Sequence, residues 1–216
     1  ELPLDTAVNE LATEVYELAN TELPALRADW FVTRATRPPL YHRLLDIPRT
    51  DQELQSRLGV DVEANIADGR AKRRGLENSG SSQQERVIER HDGNQGYYWK
   101  SYDFKPSTAR SDLTRFPLGP EFARNVFPQI AFRHDGGELI FRLPNGLQGY
   151  MLVDGKGARI DVGPTDVVAD KAKFSGSVEI VNGLSCMSCH GQGMILGSAP
   201  DIVRKGTSLG GDARRQ

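Results

Sequence analysis

The sequence predicts an α+β protein, and three features of the chain predict it. Apolar residues recur at helical spacing through the N-terminal part, aromatic and alternating stretches divided by glycine turns fill the middle, and a short cysteine- and histidine-bearing segment follows. With 216 residues the chain can bury a sizeable core. Its 38% hydrophobic and 26% charged side chains are the balance of a folded domain rather than a disordered one. A formal net charge of −2 leaves no overall electrostatic footprint for nucleic acid. No apolar run approaches the length of a membrane span. The sequence starts at Glu1 without a basic and apolar leader, as expected of a processed or excised chain.

The elements follow in order. Residues 5–29 carry Val8, Leu11, Val15 and Leu18 near helical spacing until Pro24 disturbs the pattern, which predicts a helix. Thr50-Asp51-Gln52-Glu53 fits a capping box, and Leu54, Leu58, Val62 and Ile66 follow at four-residue intervals with breaks at Gly59 and Gly69. Two short helices are expected there. Residues 70–84, with Lys72, Arg73, Arg74 and Asn78-Ser79-Gly80-Ser81-Ser82, read as a loop that closes a mainly helical part over 1–84.

From residue 85 to 181 the texture is that of strands. Arg86 to His91 and Gly96 to Phe104 flank Asp92-Gly93-Asn94, and Glu138 to Leu143, Leu147 to Asp154 and Ala158 to Asp161 are separated by Pro144-Asn145-Gly146 and Gly155-Lys156-Gly157. A largely antiparallel meander is expected. Residues 182–205 form a C-terminal helical segment, and 206–216, glycine-rich and basic, read as a flexible tail or a linker to further domains of a longer chain.

The chemistry of the chain concentrates in Cys186-Met187-Ser188-Cys189-His190. Both cysteines of the protein lie in this window, so they cannot staple distant parts of the fold. A Cys-x-x-Cys pair serves three chemistries: zinc binding, dithiol redox exchange and haem attachment. Zinc is poorly served, because there is no second cysteine pair and adjacent Cys189 and His190 make a strained ligand pair. A thioredoxin-like dithiol is followed by a long helix, which Gly191 and Gly193 interrupt here. The histidine directly after the second cysteine favours haem. Two sulfurs on one helical turn can form thioethers with the two vinyl groups of the macrocycle, while His190 supplies an axial nitrogen to the iron.

Across Cys186 to His190 the sequence resembles the c-type cytochromes. The resemblance implies one covalent haem c per chain, with its iron held by His190, and one-electron transfer to a redox partner protein. It also implies an extracytoplasmic location, periplasmic or secreted and bacterial, because thioether coupling follows export. The small soluble cytochromes c carry the motif near the N-terminus with a distal methionine far downstream, whereas 26 residues follow His190 here.

A histidine is therefore expected as sixth ligand. Met194 lies beside the proximal side, Met187 faces away and Met151 reads as core filler. His134 and His91 each end a strand before an Asp-Gly turn, and His134, followed by two glycines, is the first choice; His42 ranks third. Pro200 offers a backbone carbonyl to orient His190. Arg86, Arg90, His91, Tyr97, Tyr98, Trp99 and Tyr102 are read either as a haem wall with propionate anchors or as ordinary sheet packing. Two further functions fit the same motif: a haem-based sensor domain, and a peroxidase-like enzyme using an Arg and a His of the Arg86 to His91 strand.

Overall fold

The computed structural model describes residues 6–21, 27–77, 79–82, 84–106, 110–173, 175–195 and 201–203. The N-terminal pattern forms two helices, α1 (Thr6–Ala19) and α2 (Ala28–Ala35), where the sequence suggested one over 5–29. Pro24 lies outside the described residues. Both helices belong to a first unit over residues 1–35, and residues 36–216 form a second.

The second unit begins with α3 (Leu40–Leu44), α4 (Asp51–Leu58) and α5 (Val62–Ala67). The α4 start obeys the capping signal with one change. Thr50 Oγ1 accepts the Glu53 N–H at 3.2 Å, but Glu53 reaches back to the N–H of Arg49, at 3.0 Å, rather than to that of Thr50. Gly59 ends α4 in the left-handed conformation, at φ 66°, which glycine adopts without steric cost. The expected break at Gly59 and the two short helices are therefore present.

Six strands follow in sequence order as one antiparallel meander: β1 (Lys72–Leu76), β2 (Arg86–Gly93), β3 (Gly96–Asp103), β4 (Gly136–Arg142), β5 (Gln148–Asp154) and β6 (Arg159–Ile160). The architecture is α+β. β1 corrects the expected loop over 70–84. Its basic residues are not all solvated, since Arg73 pairs with the fully buried Glu89 on β2. A second, two-stranded sheet joins β7 (Val162–Gly163) to β8 (Ile180–Val181), and α6 (Leu184–Cys189) follows.

Register sorts the side chains between two faces. His91 stands opposite Tyr98, and Tyr98 opposite Phe141, so these three share one face; Arg90, Trp99, Ile140 and Tyr150, paired in turn, share the other. Leu54, Leu58, Val62 and Ile66 of α4 and α5 pack with Tyr98, Leu139, Phe141, Met151 and Val153 of the first face. On the second face Ile140, Tyr150 and Leu152 pack with Val167, Val168, Ile180 and Cys186. Thus α4 and α5 lie over one side of the sheet and α6 over the other. Among the described residues no helix is long and apolar enough to cross a membrane.

Candidate functional site

The approach to α6 is pinned before the helix starts. Asn182 is fully buried; its N–H donates to Asp161 O at 2.8 Å, and its side-chain amide reaches Ile160 O at 3.3 Å and His42 Nε2 at 2.9 Å. Gly183 follows at φ 84°, and a Cβ there would sit 2.7 Å from Thr36 O and 2.9 Å from the Tyr41 ring. Only glycine meets both demands. One helical turn then carries the motif, with the His190 N–H bonded to Cys186 O at 2.8 Å. Cys186 is buried, Cys189 is half-buried, and both are free thiols.

The His190 ring is oriented from one side. Its Nδ1 lies 3.2 Å from Gly193 O, and because a carbonyl only accepts, Nδ1 carries the hydrogen and Nε2 is the nitrogen left for a metal or a proton. Gly193 thus does what Pro200 was expected to do, and Pro200 lies outside the described residues. The Tyr150 ring is stacked against the imidazole, 5.9 Å between centroids and 28° from parallel.

Nε2 faces Glu138 Oε2 at 3.7 Å, both side chains being mostly buried. Burial pushes the Glu138 carboxyl up, but His190 and the Cys186 thiol outweigh it and hold the group below the ordinary range. Burial pulls His190 down, but the Glu138 carboxylate and the Gly193 carbonyl outweigh it and move the imidazole upward. Burial and then the Glu138 charge raise Cys186 well above an ordinary thiol; burial followed by Asp170 and Glu138 raises Cys189. A redox dithiol needs the opposite, a nucleophile whose pKa is lowered.

The structure brings Cys186, Cys189 and His190 together and keeps the two favoured distal histidines away from them. His91 belongs to the α4/α5 face, fully buried, with Nε2 3.1 Å from Glu89 Oε2 and Nδ1 3.2 Å from the Asn65 amide. His134 contacts the same side, edge-on to Tyr102 at 4.8 Å. Burial, and then the charge of Lys100, lower His134 to about 4. Tyr150, and with it His190, lies on the α6 face, so the sheet stands between His190 and both candidates.

His42 is close to the motif but committed to Asn182. Met187 and Met194 pack beside Cys186, while Met151 fills the core of the opposite face. The aromatic and cationic group does not form one wall either. Arg86, Arg90, Tyr97 and Trp99 alternate with His91, Tyr98 and Tyr102 across the sheet, and Arg86 is held by Asp103. The strand therefore presents no Arg and His side by side.

A second cluster of charges, on the α4/α5 face, is closed upon itself. Glu89 pairs with Arg73 at 2.8 Å and with His91, and accepts the Tyr102 hydroxyl at 2.7 Å. Asp51 accepts Lys100 Nζ at 2.7 Å and the Tyr98 hydroxyl. The site residues that sequence reasoning missed are Glu138, Tyr150 and Asn182. Glu138 carried one faint signal, a carboxylate at the same strand parity as Ile140. No protein family, curated protein or solved structure matches this chain.

Proposed function

We propose that the chain is a c-type cytochrome domain, carrying one haem joined by thioethers to Cys186 and Cys189 and held at its iron by His190. In this reading it passes single electrons to and from a redox partner protein in an extracytoplasmic compartment. The observation that carries the reading is the state of the motif: two free thiols on one helical turn beside an imidazole whose Nδ1–H is fixed by Gly193 O, leaving Nε2 for iron. The bound haem supplies reversible one-electron chemistry.

The chain's own residues supply the rest. α6 would present the Cys186 and Cys189 sulfurs, three positions apart on one helical turn, as the groups that hold the haem covalently. Ile140, Leu152, Val167 and Ile180 exclude water from the buried side of Cys186. Tyr150 fixes the tilt of the imidazole. The other two chemistries of the motif find less support. Among the described residues no three His, Cys, Asp or Glu side chains converge as a zinc site requires, and both thiols are raised rather than lowered.

The test is production in a bacterial host with haem-attachment machinery, followed by denaturing electrophoresis, haem staining and intact mass. Wild type should retain one haem through denaturation and Cys186→Ser/Cys189→Ser should retain none. Colour that leaves the wild-type protein in acidified organic solvent would overturn the covalent reading.

A further inference from the structure

The two helices of the first unit leave their large apolar side chains in water. No residue of α2 is buried; Trp30 is 60% exposed, and Phe31 and Val32 beside it are exposed as well. On α1, Leu18 is 81% exposed and Val15 is exposed one turn before it. Three successive residues turn through about 200° of a helix, so one neighbouring helix cannot cover Trp30, Phe31 and Val32 together. Among the described residues α1 is the other helix of this unit. A second copy of the chain brings a second α1 and a second α2, which is the number of neighbours that α2 lacks.

The charges of the two helices match across such a pair. α1 carries Glu10, Glu14 and Glu17 and no basic residue. All three are exposed and fall within a strip of about 60° beside the Val15 and Leu18 side of the helix. On α2, Asp29 is taken by Arg27 at 2.7 Å, which leaves Arg34, one turn after Trp30, as the free charge. Among the described residues no ion pair engages Arg34 or the three glutamates. An apolar stripe with an acidic margin on α1 therefore complements an apolar stripe with a basic margin on α2. The same acidic margin is wrong for an anionic bilayer, because helices that lie on such a surface carry Lys and Arg on their polar side.

We propose that α1 and α2 are the interface of a homodimer, in which α1 of each copy lies against α2 of the other about a two-fold axis and the two α2 helices meet at the centre. Trp30 and Phe31 are its anchors. The exposed parts of these two rings present on the order of 200 Å² of apolar surface per copy. Val15, Leu18 and Val32 extend that surface toward the roughly 800 Å² per partner that a stable interface buries. The dimer does not depend on the haem reading.

The experiment is analytical ultracentrifugation of the full 216-residue chain over a concentration series. Wild type should pass from the 23.9 kDa monomer to a species of twice that mass, with a Kd of about 10 μM or below. Trp30→Lys and Leu18→Lys each put a charge into the seam and should raise the Kd at least about tenfold. Leu147→Lys, at a leucine of the second unit that is 65% exposed, should leave it unchanged. Far-ultraviolet circular dichroism checks that the variants are folded, and if Trp30→Lys is not, the milder Trp30→Ala gives the same reading. A wild type that is monomeric at about 100 μM, or a dimer whose Kd is unchanged by every substitution on α1 and α2, would overturn the proposal. A monomer that floats with vesicles of phosphatidylcholine and phosphatidylglycerol, and loses them in Leu18→Lys, would overturn it in favour of a membrane.

Discussion

Glu89 and Glu138 are inward-pointing glutamates on opposite faces of one sheet, and their partners differ in kind. Glu89 is bound by Arg73, His91 and Tyr102, all supplied by the adjoining strands β1, β2 and β3. Its negative charge is cancelled by the framework that buries it. Glu138 depends instead on His190 and Cys186, which belong to the motif. The first carboxylate is a structural element whose removal leaves Arg73 buried without its partner, whereas the second is held by the motif itself.

The largest expected effect falls on the closed cluster. Glu89→Ala leaves Arg73 and His91 buried without their carboxylate and should cost about 3–5 kcal/mol, read as a fall in the urea midpoint with little change in slope. A loss below about 1 kcal/mol would break the contrast with Glu138.

His134 gives the next effect, visible as a dependence on pH. Its imidazole is held at about 4 against an ordinary 6.5. Between those values the unfolded chain binds a proton that the folded chain refuses. Its contribution is therefore complete above pH 6.5 and drains as pH falls toward 4, by on the order of 1–3 kcal/mol. Thermal melts of wild type and His134→Gln across that window should diverge, the variant being the less sensitive to acid.

Thr50→Ala tests the support of the closed face at its edge, since Thr50 caps the helix that carries Asp51 to Lys100 and Tyr98. A loss of about 1 kcal/mol in chemical denaturation is expected. The smallest effect belongs to the other face. In haem-free protein Glu138→Gln should change stability by no more than about 1 kcal/mol, because the near-isosteric amide removes the cost of burying a carboxylate together with its long contact to His190, whose imidazole can stay neutral. A larger cost would show that Glu138, like Glu89, is held for the fold.

What could be read from the chain alone depended on how local the signal was. β2 to β5 were legible because Asn-Gly and Gly-rich turns punctuate alternating stretches, and α4 and α5 because the capping box and leucine spacing agree. α3 escaped notice, being five residues long behind two prolines. β1 was misread because Lys72, Arg73 and Arg74 look solvated. Yet only its register against β2 shows that Arg73 turns inward to Glu89, and Gly75 leaves room for Val203, whose side chain a Cβ would approach to 2.4 Å.

The motif was legible because five consecutive residues define it. The placement of the distal histidines was not, for a reason of parity: a shift of one position along a strand moves a side chain to the other face, as Arg90 and His91 show. Glu138 hid behind the same ambiguity.

Asn182 has a consequence for the order of events. It ties the segment before α6 to Ile160 and Asp161, and to His42, 140 positions earlier in the chain. A polypeptide delivered from its N-terminus presents those anchor points well before residue 182 emerges. The seating of the cysteines is accordingly a closing act, like a latch that engages after the case has been assembled, and Asn182→Ala should release the latch while leaving the case shut.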